Sequence, residues 1–388
     1  MPDSGSSPVT SIPLSRPSLS EREHRYVNEV LRSDRLAMGP FLAAFEQRMA
    51  GVCGTRHAVA VSSGTAALHL IVRALGLGPG DEVLTTPFSF VASANAALYE
   101  GARVRFADID PDTFALDPGQ AARALTPATR ALLAVDVFGV PADWPALAAL
   151  AERHGLHLID DACEALGAHI GGRPVGAWGA AAAFGFYPNK QITLGEGGCI
   201  TTNDDALAAR CRSLRNQGRA DDARMEHVDL GFNYRLDELS AALGCAQLER
   251  LETLLARRAA VAAWYAEDLA DLAEDLTLPA DPPDRRRSWF VYVVRLADHF
   301  PADARDRVMH ALQADGIGCA PYFPCIHLQP YYRRRFGYRP GAFPVAERVA
   351  ARTLALPFYP DLTRDDVRRV ARALKAALGA LHAASSTR

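Results

Sequence analysis

The chain has 388 residues, 49% hydrophobic and 22% charged, which is typical of a soluble globular protein long enough for two domains. A net charge of −3 gives no overall attraction to nucleic acid or to acidic membranes. The seven cysteines form no CxxC pair and have no histidine spacing suited to zinc, so we expect no metal site. We also expect no disulfides and a location in the reducing cytoplasm.

Predicted elements begin after a short N-terminal segment. Residues 1–11 and the tail 381–388 have compositions typical of disordered ends, and the N-terminus lacks the apolar core of a secretory signal. Ser20 and Glu23 form a capping-box pattern that predicts a helix through about Arg32.

From Ala58 onward, short apolar strands alternate with helices rich in alanine and leucine. The strands are predicted near 83–86, 103–106, 131–135 and 157–159, and the helices near 64–76, 89–100, 118–125 and 143–154. This alternation predicts a mostly parallel sheet covered on both faces.

The second part of the chain has a different pattern. Residues 237–275 have helical periodicity and are interpreted as one long connector. A strand is predicted at 289–296, with helices near 302–315 and 363–379. We therefore expect a large domain over 12–250 and a smaller C-terminal α/β domain over 251–380.

Three segments of the first part carry chemistry. A turn of small residues, Ser62 to Thr65, precedes a predicted helix, where backbone amides suit a phosphate. Asp160 and Asp161 end a predicted strand, and ligands of parallel sheets collect at that end. Lys190 lies on a proline-containing turn beside a glycine-rich reversal, so the backbone would hold its amine near the interior. A desolvated amine can form a Schiff base with an aldehyde.

Together the three segments indicate one ligand. Each alone has an ordinary structural explanation: a strand-to-helix turn, a capping aspartate, a solvated lysine. Pyridoxal 5′-phosphate, however, carries a phosphate, a ring nitrogen that pairs with a carboxylate and an aldehyde that reacts with lysine. We therefore predict it as the cofactor.

Seven segments in chain order resemble the DegT/DnrJ-type sugar aminotransferases of fold type I: SSGTAALHL, DEVLTTPFSFVASANA, FADID, LIDDACEALGA, GFYPNKQITLGEGG, GFNYRLDELSAALGCAQLERL and LALPFYP. The resemblance spans roughly residues 12–375. It implies an α/β fold with a mostly parallel seven-stranded sheet in the large domain.

The resemblance implies the roles of the two catalytic residues. Lys190 would form the Schiff base and then move a proton at the substrate carbon. Asp161 would pair with the pyridinium nitrogen. Asp160 is its rival, because adjacent strand residues face opposite sides and only one of them can face the ring. The motif match favours Asp161.

Further cofactor contacts follow from the same resemblance. The backbone of Gly64 and Thr65 would bind the phosphate, and Phe90 would stack on the ring. Asn233 would reach the phosphate of a neighbouring subunit, which implies a homodimer with shared active sites.

Three positions depart from the pattern of many family members. Gly185 replaces a phosphate-binding serine, so another group must supply that contact. Glu164 stands where glutamine or histidine is common near the ring hydroxyl, and a carboxylate there must be protonated or paired. Asp136 replaces a histidine after the preceding strand.

Lys190 also favours one reaction over another. Related dehydrases carry histidine at this position, so the lysine indicates transamination. The predicted reaction moves an amino group from L-glutamate to a keto group of a nucleotide-linked deoxysugar. The alternatives are a keto-cyclitol substrate and a non-catalytic regulator that binds the cofactor. Candidate substrate-binding residues are Arg219, Arg235, Tyr322 and His327.

Overall fold

The computed structural model describes residues 11–220 and 226–386, with side chains through residue 384. Its strands are β1 (His57–Val61), β2 (Glu82–Thr85), β3 (Arg103–Phe106), β4 (Thr129–Val135), β5 (His157–Asp161), β6 (His169–Ile170), β7 (Arg173–Pro174), β8 (Ala181–Gly185), β9 (Gly198–Thr202), β10 (Leu276–Thr277), β11 (Arg285–Arg286), β12 (Tyr292–Leu296) and β13 (Thr353–Leu356). Its α-helices are α1 (Glu21–Leu31), α2 (Pro40–Cys53), α3 (Gly64–Ala74), α4 (Ala92–Tyr99), α5 (Pro118–Ala124), α6 (Trp144–His154), α7 (Asp205–Arg215), α8 (Glu238–Leu248), α9 (Leu251–Asp268), α10 (Ala304–Ala314), α11 (Pro330–Phe336), α12 (Pro344–Arg352) and α13 (Arg364–Ser386).

The central sheet has seven strands in the order β1-β9-β8-β5-β4-β2-β3, and β9 alone runs in the direction opposite to the other six. This confirms the predicted mostly parallel α/β sheet. Strands β8 and β9 were missed, because β8 is the alanine-rich sequence AAAFG and β9 follows glycines, and both residue types are depleted in strands.

Small side chains bring the helices close to this sheet. In α3, Ala67 is fully buried, and Leu70 and Ile71 beside it are also inaccessible to solvent. Each fully buried leucine or isoleucine contributes about 1.5–3 kcal/mol to stability. The helix therefore lies tightly against the sheet, which fixes the position of its first turn at the sheet edge.

A second, smaller core surrounds the antiparallel sheet β10-β12-β13 and packs against α10 and α13. The predicted connector over 237–275 is two helices, since Glu249 and Arg250 interrupt it between α8 and α9. Helix α9 belongs to both cores, with Leu254 in the core beneath α2 and Val261 in the smaller one. The domain division near residue 250 stays a prediction.

Both ends of the described chain join the smaller core. The Ile12 amide donates to the Gly316 carbonyl at 2.9 Å, while the segment predicted to be disordered before it, residues 1–10, lies outside the described residues. The tail prediction is wrong for 381–386, because α13 continues through Ser386 and buries Leu381 against this core. Within the described ranges, no helix has the length and apolar character needed to span a membrane.

Candidate active site

The carboxyl ends of the parallel strands surround a cavity of about 360 Å³. The end of β5, the first turn of α3 and the loop between β8 and β9 all reach it. Its lining includes Gly64, Thr65, Phe90, Asp161, Glu164, Lys190 and Tyr322. Segments that are far apart in sequence therefore meet where the parallel topology brings strand ends together.

Lys190 lies in the loop between β8 and β9, as its proline and glycine neighbours predict. Its side chain is 14% exposed. Its Nζ lies 3.7 Å from Glu164 Oε1 and 4.0 Å from the centre of the Phe290 ring. The amine thus faces the cavity with an aromatic surface on one side and a carboxylate on the other.

Arg258 holds the backbone of this loop in place. Its guanidinium is fully buried and donates to the carbonyls of Lys190 at 2.6 Å and Phe290 at 3.0 Å. Burial lowers the pKa of Arg258 to about 9. The sequence analysis missed this residue, although a signal exists: Arg258 shares the buried face of α9 with Leu254 and Val261, where a charged residue is unexpected.

Asp161 and Asp160 face opposite sides of the sheet. Asp161 borders the cavity, where its Oδ2 accepts a hydrogen bond from Ser93 Oγ at 2.6 Å and its Oδ1 accepts one from the Cys163 amide at 3.3 Å. Asp160 is fully buried behind the sheet and accepts from the Gly176 amide at 2.9 Å. Of the two, Asp161 has the geometry to meet a ligand in the cavity.

Asp160 instead forms a buried carboxyl pair with Asp136. Asp136 Oδ1 accepts from the Ala142 amide at 2.7 Å and from Trp144 Nε1 at 2.9 Å. Burial raises the pKa of Asp136 to about 7, and burial together with the charge of Asp136 raises the pKa of Asp160 well above its usual range. Burial and the repulsion between the two carboxyl groups therefore both disfavour ionisation of this pair.

Replacing Asp136 by asparagine is expected to stabilise the protein above pH 7. A pKa raised by folding favours the native state below the unfolded pKa near 3.8, and this contribution is lost as the pH rises through about 7. Asparagine cannot ionise, yet it keeps the carbonyl that accepts from Trp144. We expect Tm at pH 8 to rise by roughly 2–5 °C, with a smaller gain at pH 5. Thermal melts of D136N and the unsubstituted protein at both pH values test this, and an equal shift at both would contradict it.

Glu164 is a paired carboxylate. It is 5% exposed, accepts a hydrogen bond from the Phe138 amide at 2.9 Å and faces the Lys190 amine. Burial raises the pKa of Glu164, while the charge of Lys190 and the Phe138 hydrogen bond oppose that rise. The requirement that a carboxylate at this position be paired is thus met by Lys190.

The first turn of α3 offers backbone amides to the cavity. Ser63 caps the helix by accepting from the Ala66 amide at 3.1 Å, and the amides of Gly64 and Thr65 stand at the positive end of the helix. A Cβ on Gly64 would lie 2.9 Å from Cys163 Sγ, so no side chain fits there. Gly185 is less crowded, because a Cβ at that position would lie 3.4 Å from the same sulfur, which is an ordinary van der Waals distance.

Two aromatic residues predicted to meet ligands reach the cavity. Phe90 borders it and is 60% exposed. Tyr322 accepts a hydrogen bond from Asn189 Nδ2 at 3.5 Å, and burial raises its pKa to about 12, so its hydroxyl is neutral. Sequence analysis missed Ser93 and Phe290, because a serine in a predicted helix and a phenylalanine in a predicted strand give no functional signal before the fold is known.

The other predicted residues are absent from the cavity lining within the described chain. Asn233 is exposed, Arg235 donates to Asn216 Oδ1 at 3.0 Å, and Arg219 pairs through its backbone with His227.

The prediction that His327 binds substrate is wrong for this structure. His327 is fully buried, with its Nε2 3.0 Å from Glu347 Oε1 and its ring 4.8 Å from that of Phe343. It therefore packs inside the protein, where a substrate has no access.

The sheet topology and the lysine and aspartate at its edge are those of an aminotransferase of fold type I. The model of the DegT/DnrJ/EryC1/StrS aminotransferase family matches residues 17–375, and the chain belongs to this family. The chain is 40% identical over 369 residues to GDP-perosamine synthase of Caulobacter vibrioides, covering 95% of this chain and 98% of that protein.

Solved structures agree in fold. DesV from S. venezuelae superposes with a TM-score of 0.86 and 40% identity, covering 92% of this chain and 94% of that one. The PLP form of a putative sugar aminotransferase from Streptococcus pneumoniae gives a TM-score of 0.91 with 25% identity, covering 96% and 99%. The protein is thus an aminotransferase whose fold is shared over nearly its whole length.

Proposed function

We propose that this enzyme transfers an amino group from L-glutamate to a keto group of a nucleotide-linked deoxysugar, with pyridoxal 5′-phosphate as cofactor. The observation that carries the proposal is the single cavity in which Lys190 and Asp161 both lie beside the first turn of α3. Lysine and aspartate beside a helix N-terminus are the protein groups that this cofactor requires.

The residues present fit the cofactor. The amides of Gly64 and Thr65 would hold its phosphate, and the contact of Gly64 with Cys163 and Gly185 explains why glycine is needed at that approach. Asp161 would pair with the ring nitrogen, because its carboxylate is fixed by Ser93. Phe90 would cover the ring face, and Glu164 would lie near the ring hydroxyl.

The protein's own contribution to the reaction centres on Lys190. When bound, the cofactor supplies an aldehyde that links to amines and a ring that accepts the electron pair released at the substrate carbon. Lys190 Nζ would take and return the proton at that carbon, and the nearby carboxylate of Glu164 would stabilise the charged amine. Arg258 fixes the lysine backbone, so the amine would return to one place in each half-reaction.

The sugar substrate is proposed from the relatives and from the shape of the site. The GDP-perosamine synthase of Caulobacter vibrioides is named for a nucleotide-linked sugar. Beside the cavity lies a second groove of about 750 Å³, which shares Phe90 and Tyr322 with it and is lined by Tyr99, Tyr331 and Tyr332. A groove of this size supports a substrate that extends well beyond the reacting sugar. Tyr322 remains the candidate substrate contact from within the chain.

A homodimer with shared active sites would complete the site. Apolar side chains that line the cavity are exposed, among them Phe90 at 60% and Tyr187 at 56%. Burial in a subunit interface would remove this surface from water. In such a dimer Asn233, Arg219 and Arg235 would reach the partner's cavity. We also propose that the dimer is cytoplasmic.

The amino donor and acceptor can be tested by absorption spectroscopy of the purified protein. We expect a band from the protein-bound cofactor that bleaches on addition of L-glutamate and returns on addition of a keto-deoxysugar linked to UDP, GDP or dTDP. Return of the band with a keto-cyclitol and with none of the nucleotide sugars would favour the alternative substrate. Protein that stays colourless and unchanged with added pyridoxal 5′-phosphate would refute the proposal, including its catalytic assignments.

A further inference from the structure

Three potential metal ligands converge on the surface of the smaller core, away from the active site. Asp275 precedes β10, His299 follows β12, and His382 lies near the end of α13. One ligand atom from each lies within 4.8 Å of the others. His382 Nε2 is 2.9 Å from Asp275 Oδ1, and His299 Nε2 is 3.4 Å from the same oxygen.

These separations suit a shared metal ion. Two ligands at 2.0–2.2 Å from a tetrahedral ion are about 3.2–3.6 Å apart. The two histidine-to-carboxylate distances lie close to that range, and the imidazoles are half exposed, so small rotations can close the remaining gap. Two imidazole nitrogens with one carboxylate oxygen form a ligand set that zinc uses in proteins, with a fourth position left for water.

Packing orients the three ligands before any ion binds. Phe300 is 4% exposed, and its ring centre lies 4.2 Å from that of His299 and 5.1 Å from that of His382. Asp275 is fixed through its backbone, because its carbonyl accepts from the Ala297 amide at 2.8 Å. The carboxylate of Asp275 is 15% exposed, so it faces the histidines from a partly desolvated position.

We propose that Asp275, His299 and His382 bind one divalent transition-metal ion, for which the ligand set favours zinc. The ion would tie the end of α13 to the edge of the sheet β10-β12-β13. The site stands independently of the aminotransferase chemistry, since it shares no residue with the cavity that contains Lys190. Sequence analysis expected no metal, because the three ligands are far apart in the chain and follow no recognisable spacing.

The test is a zinc titration of tag-free, full-length protein that has been stripped with EDTA and dialysed. Isothermal calorimetry is expected to show about one zinc per chain, and zinc should raise the Tm. H299A and H382A should each weaken binding by roughly tenfold or more and remove the rise in Tm. H310A, which replaces an exposed histidine on α10, is the matched control and should bind zinc like the unsubstituted protein.

The result that would overturn the proposal is equally specific. If H299A and H382A bind zinc as tightly as H310A, the ion binds elsewhere. If the unsubstituted protein takes up no zinc, the three residues form only a hydrogen-bonded surface cluster. Because His299 and His382 are half exposed, their alanine variants are expected to fold, and an unchanged Tm in the absence of zinc confirms that.

Discussion

Replacement of Lys190 by alanine is expected to abolish amino transfer, with a fall in turnover on the order of 10⁴-fold or more. The cavity contains one amine, 3.7 Å from Glu164, and among the described lining residues no other side chain can form a Schiff base with an aldehyde. Binding of the cofactor phosphate at α3 should persist, because alanine leaves the amides of Gly64 and Thr65 in place. The measurement is the initial rate of the glutamate half-reaction.

The composition of the chain makes this experiment unusually clean. Among its 42 lysines and arginines only two are lysines, Lys190 and Lys375. Lys375 lies on α13, where its amine pairs with Asp271 at 2.8 Å, so K375A is the matched control and should keep full activity. Borohydride reduction with pyridoxal 5′-phosphate should label the peptide that contains Lys190. A label on K190A, or activity retained by it, would show that the anchoring amine is wrongly assigned.

Replacement of Asp161 by asparagine is expected to lower turnover by about 10²- to 10⁴-fold with little change in stability. Asparagine can still accept the hydrogen bond from Ser93, so the geometry is kept while the negative charge that faces the cavity is lost. A ring nitrogen in the cavity would then have no anionic partner. Steady-state kinetics measure the loss of kcat, and a thermal melt separates it from misfolding.

Asp160 provides the control for that experiment. It is the neighbour of Asp161 on β5 but faces the other side, and burial together with Asp136 raises its pKa well above the usual range. Since Asp160 faces away from the cavity and burial disfavours its ionisation, D160N should retain activity near that of the unsubstituted enzyme. Equal losses in D160N and D161N would mean that the charge at Asp161 is not the cause, and the pairing assigned to it would fail.

The sequence predicted the elements whose signals are local. The capping-box pattern of Ser20 and Glu23 correctly places the start of α1. The segments that form β2 to β5 contain strand-favouring residues and alternate with segments of helical periodicity. Residue composition and hydrophobic periodicity therefore predict the same elements. Strand β8 was missed, because its alanines have low strand propensity and pairing with β5 makes it a strand. Strand β9 was missed although Ile200, Thr201 and Thr202 favour a strand, because the run is short and directly follows glycines that indicate a loop.

Asp136 illustrates what a sequence motif leaves open. By sequence it was only a departure from the histidine of many relatives. In the folded chain it forms the buried partner of Asp160, because β4 and β5 are adjacent parallel strands and Ala134 pairs with Asp160. A carboxylate at 136 thus changes the protonation of its neighbour, an effect that depends on distance in space.

By itself the sequence determined the family and the α/β class and indicated candidate residues for the chemistry, because glycine, proline, lysine and aspartate act through local backbone geometry and intrinsic reactivity. The tertiary structure alone decided which aspartate faces the cavity, that Arg258 supports the lysine loop, that His327 is buried and that Asp275 meets His299 and His382. These facts depend on contacts between residues far apart in the chain. Such contacts are fixed by the packing of strands and helices, and no local pattern contains them.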